Sequence, residues 1–292
     1  MSDFHRIGRA VGLLVIVFLL IPSPAAGDEM LAPYGLKGYA YTYSPLTVDG
    51  FHLQTGAMYS IYHKNNLDCR DGYIWDLPVS LTYGDGKLWE AAAAIQWERW
   101  KNTDYDVDER GFGDLFIGGK VRPLAQDRGM PLDLAVMPYI LLPTGDRDAS
   151  IGDLYLFNPS DDDDLSYGLN LLLGRRWDRF YLSVNLGINL VDTDLPYIEE
   201  ETFLFGMALE YQVSERLNTY LEFLNNENKN RFQCEVCTAC DDPDVEEDIR
   251  EVGLGAVWLA GPWGFKAHIG AGMTETSPDF RLLTLINRSF SF

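Results

Sequence analysis

The chain has 292 residues, 47% of them hydrophobic and 13% aromatic, with a formal net charge of −21. So acidic a chain repels phosphate backbones, which excludes nucleic acid as a partner. Downstream of residue 27 no apolar run reaches the roughly 20 residues a helix needs to cross a bilayer, and the abundance of aromatic residues and glycine favours a sheet protein.

The first element is an export signal. His5, Arg6 and Arg9 precede an apolar run over 10–21 and the small-residue stretch Ser23-Pro-Ala-Ala-Gly27, the three-part order of a secretory signal peptide. Ala25 and Gly27 fit the cleavage positions, so residues 1–27 are expected to be removed and the mature chain to start at Asp28. Loss of Asp3, Arg6 and Arg9 takes the charge from −21 to −22. About a dozen apolar residues is short for a retained helix.

Residues 28–49 follow, with Tyr34, Tyr39, Tyr41 and Tyr43. They are expected to form a separate N-terminal segment, periplasmic or capping the lumen of the sheet that follows. Gly38-Tyr-Ala-Tyr-Thr-Tyr43 alternates well enough to be an additional strand instead.

From residue 50 to 292 the chain reads as period-two segments, the signal of two-faced strands. In 179–192, Leu182, Val184, Leu186, Ile188 and Leu190 share one face and Ser183, Asn185, Gly187 and Asn189 the other. The same pattern recurs near 50–63, 73–84, 87–100, 111–122, 131–143, 164–176, 202–213, 217–226, 250–260, 264–273 and 280–292. About twelve strands, an even number, suit an all-β, antiparallel, up-and-down transmembrane β-barrel of a bacterial outer membrane. The connections alternate in length: 84–86, 123–130, 177–179, 214–216 and 261–263 are short, whereas 101–110, 144–163 and 227–249 are long and acidic. Short periplasmic turns and long outer loops have this asymmetry. Trp75 and Tyr83, Trp89 and Trp97, and Phe203 and Tyr211 lie eight residues apart on the outward parity. That is roughly 20 Å along the membrane normal, the spacing of two interfacial girdles. The core of a soluble β-sandwich would use the same residue types at the same period.

The opposite parity lists the interior. Lumen-lining candidates are Glu90, Glu98, Asp114, Lys120, Arg122, Asp133, Glu210, Glu222, Lys266 and His268, with Asp76 and Arg281 among their neighbours. Their mixed sign suits either a neutralising plug or a narrow polar pore. An acidic excess in a pore favours cations or neutral solutes over anions.

The last segment, Arg281-Leu-Leu-Thr-Leu-Ile-Asn-Arg-Ser-Phe-Ser-Phe292, sets Thr284, Ile286, Phe290 and Phe292 on one face, broken by Arg288. It resembles the terminal strand read by the barrel-assembly machinery, which that resemblance makes an expected partner, together with outer-membrane lipid and lipopolysaccharide. In mid-chain, Gly111-Phe-Gly-Asp-Leu-Phe-Ile-Gly-Gly-Lys120 and Leu142-Pro-Thr-Gly-Asp146 resemble an outer-membrane family assigned to the meta-pathway of phenol degradation. The resemblance covers the layout of the barrel, and in motif only 111–146. It implies barrel fold and membrane location, and a channel or transporter for small solutes, aromatic or otherwise hydrophobic. In physical terms Gly111 and Gly113 allow the backbone to bend, Gly118 and Gly119 leave room beside bulky neighbours, and Pro143 with Gly145 ends a strand in a turn.

Cys69 and the cluster Cys234-Glu-Val-Cys237-Thr-Ala-Cys240 fall in outer loops on the oxidising face. Two disulfides are the expectation, with three pairings open; a site of four thiolates for a metal is the sharper alternative. The acidic runs 161–164 and 241–248 read as solvated loop charge. No cofactor or metal is expected. Two other classes remain beside the channel: a structural or adhesive barrel with a closed, charge-plugged lumen, and a lipid hydrolase. Hydrolysis needs a nucleophile near a base, and with His52, His63 and His268 as the mature histidines the candidate pair is Ser289 beside His268; no catalytic residue is assigned.

Overall fold

The computed structural model describes residues 30–65, 70–103, 107–145, 165–192, 200–227, 248–274 and 277–290. Two-faced strands leave no unpaired edge in lipid only if the sheet closes on itself, and this one does. The strands are β1 (Asp49–Asn65), β2 (Arg70–Asp85), β3 (Trp89–Asn102), β4 (Val107–Phe112), β5 (Leu115–Leu124), β6 (Asp133–Leu142), β7 (Leu165–Trp177), β8 (Phe180–Asp192), β9 (Glu201–Ser214), β10 (Leu217–Asn226), β11 (Ile249–Ala260), β12 (Trp263–Gly272) and β13 (Phe280–Phe290). β1 pairs with β2 on one side and with β13 on the other, both antiparallel, which seals the ring.

β4 and β5 both pair with β3, at Trp97–Asn102 through β4 and at 89–94 through β5, so they are two halves of one wall strand. The barrel therefore has 12 strands, the number the alternation predicts. Between the pairs Trp97↔Phe112 and Ala94↔Phe116, two residues of β3 face three of the opposite chain. This is a β-bulge, formed at Gly113 and Asp114. The Gly113 N–H donates to the Gln96 carbonyl at 2.9 Å. Asp114 Oδ1 accepts from the N–H groups of Thr144 at 3.0 Å and Gly145 at 2.9 Å, and Thr144 Oγ1 accepts from the Leu115 N–H at 3.0 Å. The two motifs noticed separately in the sequence are thus one unit: a bulge whose carboxylate caps the Pro-Thr-Gly turn. A Cβ on Gly145 would lie 2.8 Å from the Phe112 carbonyl oxygen, so the turn needs glycine. Gly118 lies against the Phe116 ring, as expected, but Gly119 has no crowding neighbour.

Two expectations about element limits change. The stretch 101–110, read as a loop, is largely strand, because β3 continues to Asn102 and β4 begins at Val107. Its polar residues hide the continuation; Arg99 and Asp108, both exposed, pair across it at 2.5 Å. Gly38–Tyr43 adds no strand to the wall and makes only an isolated bridge. Its tyrosines turn inward and are buried.

Outside, Trp75, Tyr83, Trp89, Phe203 and Tyr211 are exposed, and between the two rows lie exposed aliphatic side chains such as Leu221, Leu254 and Ile269. Inside, glycine makes room for rings. Gly255 on β11 faces Tyr220 on β10 and His268 on β12, whose rings stack at 5.7 Å between centroids; a side chain there would run into the Tyr220 ring. Cys69, Cys234, Cys237 and Cys240, the acidic runs 161–164 and 241–247, and Phe292 lie outside the described residues.

Candidate functional site

The lumen holds residues 30–48, nearly all buried. An irregular segment taken out of water must find partners for its N–H and C=O groups, and it finds them on the barrel wall. Glu222 on β10 accepts the N–H groups of Ala40 at 3.1 Å, Tyr41 at 2.9 Å and Thr42 at 2.5 Å. Lys266 on β12 donates to the carbonyls of Gly38 at 2.9 Å, Tyr39 at 2.7 Å and also Leu31. Glu90 on β3 accepts from the N–H groups of Lys37 at 2.8 Å and Val48 at 2.6 Å. Lys120 on β5 pairs with Glu90 at 2.7 Å and donates to the Ser44 carbonyl at 2.6 Å. Gln54 and Thr82 hold the carbonyls of Ala32 and Gly35. The Tyr39 hydroxyl, whose pKa is pushed well up by burial and by the neighbouring Glu210, donates to that carboxylate at 3.2 Å.

Five of the ten interior candidates, Glu90, Lys120, Glu210, Glu222 and Lys266, therefore grip the segment. The other five are also buried; four of them serve elsewhere, and His268 touches the segment through its ring alone. Arg122 pairs with Asp133 at 2.6 Å, and Asp133 also accepts from the Gln126 N–H at 2.8 Å and the Tyr181 hydroxyl at 3.0 Å. This cluster clamps the connection between β5 and β6. Asp114 caps the turn after β6. His268 packs edge-on to Tyr41 with centroids 5.6 Å apart, its Nδ1 3.8 Å from Glu222. Glu98 accepts from the Gln96 amide at 2.8 Å. Ser289 does not face His268 but stands opposite His52 across the seam, while His268 stands opposite Leu283 and Gly255. The Ser289 hydroxyl donates to the Pro262 carbonyl at 3.3 Å.

The lining also has an apolar part that polar residues in the sequence do not mark. Ala92, Ala94, Phe116, Met137, Tyr139, Leu141 and Leu172 form an apolar strip on β3, β5, β6 and β7, against which Tyr34 and Leu36 pack; Tyr34 and Phe116 are 4.9 Å apart. Their parity marks them as inward, but their apolar character is that of the lipid face. Glu251, also unremarked, makes a two-pronged pair with Arg281 at 2.9 and 3.2 Å. Outward Val252, Leu254 and Trp258 imply its position. At the end bearing the short turns a polar cavity of about 310 Å³ remains between the segment and β7, β9, β10 and β11, bounded by Lys37, Tyr39, Arg176, Glu210, Gln212 and Asn218.

Twelve antiparallel strands closed into a ring, apolar and aromatic outside and polar within, define an outer-membrane β-barrel. The profile described as "Putative MetA-pathway of phenol degradation" matches residues 90–282, more than half of the sequence, and the chain belongs to that family. Among solved structures the barrel is similar to the COG4313 outer membrane channel from Pseudomonas putida F1, at 13% identity, covering 87% of this chain and 100% of that one with a TM-score of 0.62. It is also similar to the translocator domain of the autotransporter NalP from Neisseria meningitidis, at 12% identity, covering 84% and 90% with a TM-score of 0.50. No curated protein sequence matches.

Proposed function

We propose that this barrel is a channel or transporter for small solutes of the outer membrane, with residues 1–27 as its export signal and residues 30–48 as a constriction in its path. The observation that carries the reading is the make-up of the lumen: an apolar, aromatic strip from Ala92 to Leu172 faces charged β9–β12 across a segment that packs on the strip and takes its hydrogen bonds from charged wall residues. A lining that offers rings and aliphatic carbon beside carboxylates and amines suits a solute with an apolar body and a polar handle. Aromatic compounds answer that description, in keeping with the family's description and with a channel of similar fold. A closed structural barrel would have no use for the cavity beside Tyr39, and the serine considered for hydrolysis, Ser289, stands away from His268 and gives its hydroxyl to the Pro262 carbonyl.

The test is single-channel recording in planar bilayers, with liposome uptake of aromatic acids, neutral sugars and cations. Discrete conductance steps and faster entry of aromatic acids than of sugars of similar mass are expected. A flat trace from correctly folded protein, both intact and lacking residues 28–48, would sink the transport reading.

A further inference from the structure

Charge is balanced locally at almost every acidic position of the lumen. Among the described residues Glu90 is matched by Lys120, Asp133 by Arg122 and Glu251 by Arg281, while Glu222, Glu210 and Asp114 receive N–H or O–H donors. Asp76 on β2 differs. It is 1% exposed, yet both of its carboxylate oxygens lack a hydrogen-bond donor. Its cross-strand partner on β3 is Glu98, equally buried and on the same inward face. On β1, Met58 stands opposite Asp76, and the next inward residue, Ser60, carries a buried hydroxyl that also has no partner. The guanidinium of Arg281, opposite Ser60 on β13, acts on Asp76 through its charge but gives it no hydrogen bond; its contacts go to Glu251, to the Met58 sulfur at 3.3 Å and to the face of Tyr41 at 5.2 Å.

Two like charges directly opposite on paired strands repel, and a carboxylate out of water with no hydrogen-bond donor on either oxygen is disfavoured. Cβ atoms of such a pair lie about 5 Å apart, so two carboxylates can close on one ion between them. We infer that Asp76 and Glu98, with the Ser60 hydroxyl, form a cation-binding site in the lumen, toward the end bearing the long connections. Hard oxygen ligands of double negative charge take a small hard cation. A free divalent ion and the ammonium head of an amine share that chemistry. Occupancy does not depend on solute passage, so the site stands or falls apart from the transport reading.

The experiment is thermal unfolding of the purified full-length barrel in detergent, titrated at matched ionic strength with calcium chloride, methylammonium chloride or choline chloride. Ligand bound only by the folded state raises Tm in a saturable way. Calcium or methylammonium is expected to do so and bulky choline not; which of the two acts tells the free ion from the amine head. Asp76→Asn and, separately, Glu98→Gln are expected to raise the midpoint concentration by about tenfold or more, since affinity follows the ligand charge count. A variant with Asp161, Asp162, Asp163 and Asp164 all changed to Asn is expected to titrate as the parent does. Heat-modifiable migration on gels checks that each variant is folded, and either lumen variant suffices if the other fails to fold. The inference is overturned if neither cation gives saturable stabilisation of the parent, or if both lumen variants respond as the parent does, which would place the ions on the acidic loops.

Discussion

At Gly255 the lumen shows how one residue is constrained by its neighbours on two strands. The rings of Tyr220 and His268 come from either side and stack over it, an arrangement in which a ring covers the gap left by a missing side chain. Gly255→Val is expected to lower the yield of heat-modifiable, folded barrel, whereas Gly119→Val, which meets no crowding atom on the outer face, is expected to fold normally. Glu222 illustrates the charged side of the same wall. Its three N–H partners are charge-assisted bonds worth about 1.5–3 kcal/mol each. Glu222→Gln is expected to speed amide hydrogen exchange at residues 40–42 by about tenfold or more, read by mass spectrometry of the folded barrel. Period-two parity distinguishes the two faces of each strand. It could not say which charges meet which partners, because Lys266 and Leu31 are joined by a fold of the chain that alternation does not encode.

Among the elements, the wall strands were the most legible, since each repeats the same two-faced demand with lipid outside and polar groups within. The segment over 30–48 was the least. Its tyrosines alternate as a strand's would, yet its backbone is satisfied by Glu90, Glu222 and Lys266 rather than by a neighbouring ladder. Removal of residues 28–48 is expected to leave a folded barrel of larger single-channel conductance, because the wall ladders from β1 to β13 do not pass through the segment. The bulge and the turn after β6 form a second element that sequence spacing left in two pieces. Asp114→Ala removes the acceptor of two N–H groups and is expected to lower unfolding free energy by about 1–3 kcal/mol, measured by urea titration in phospholipid vesicles. The β3–β4 extension escaped notice for the opposite reason: with polar residues on both faces above the membrane, there is no alternation to see.

On the scale of the whole molecule, the outer surface is a single apolar band with aromatic rows at its edges. Leu254, 56% exposed near the middle of β11, belongs to the band. Leu254→Arg is expected to destabilise the barrel in vesicles by about 2–4 kcal/mol, while the same change in detergent costs less. Fold and location were readable because lipid imposes one rule on every strand. The lumen follows no such rule, so its contents had to be seen.

The residue that interrupted the last apolar face, Arg288, turns out to sit with its guanidinium 5.0 Å above both the Trp263 and the Phe290 rings, at the end bearing the short turns. Arg288 is 3% exposed, so the charge that breaks the apolar face is covered by these rings and by its cross-strand neighbours, Leu53 on β1 and Trp263 on β12, rather than presented to lipid. The aromatic cover screens the guanidinium, and the closing seam keeps an apolar exterior across a charged position of its outward parity.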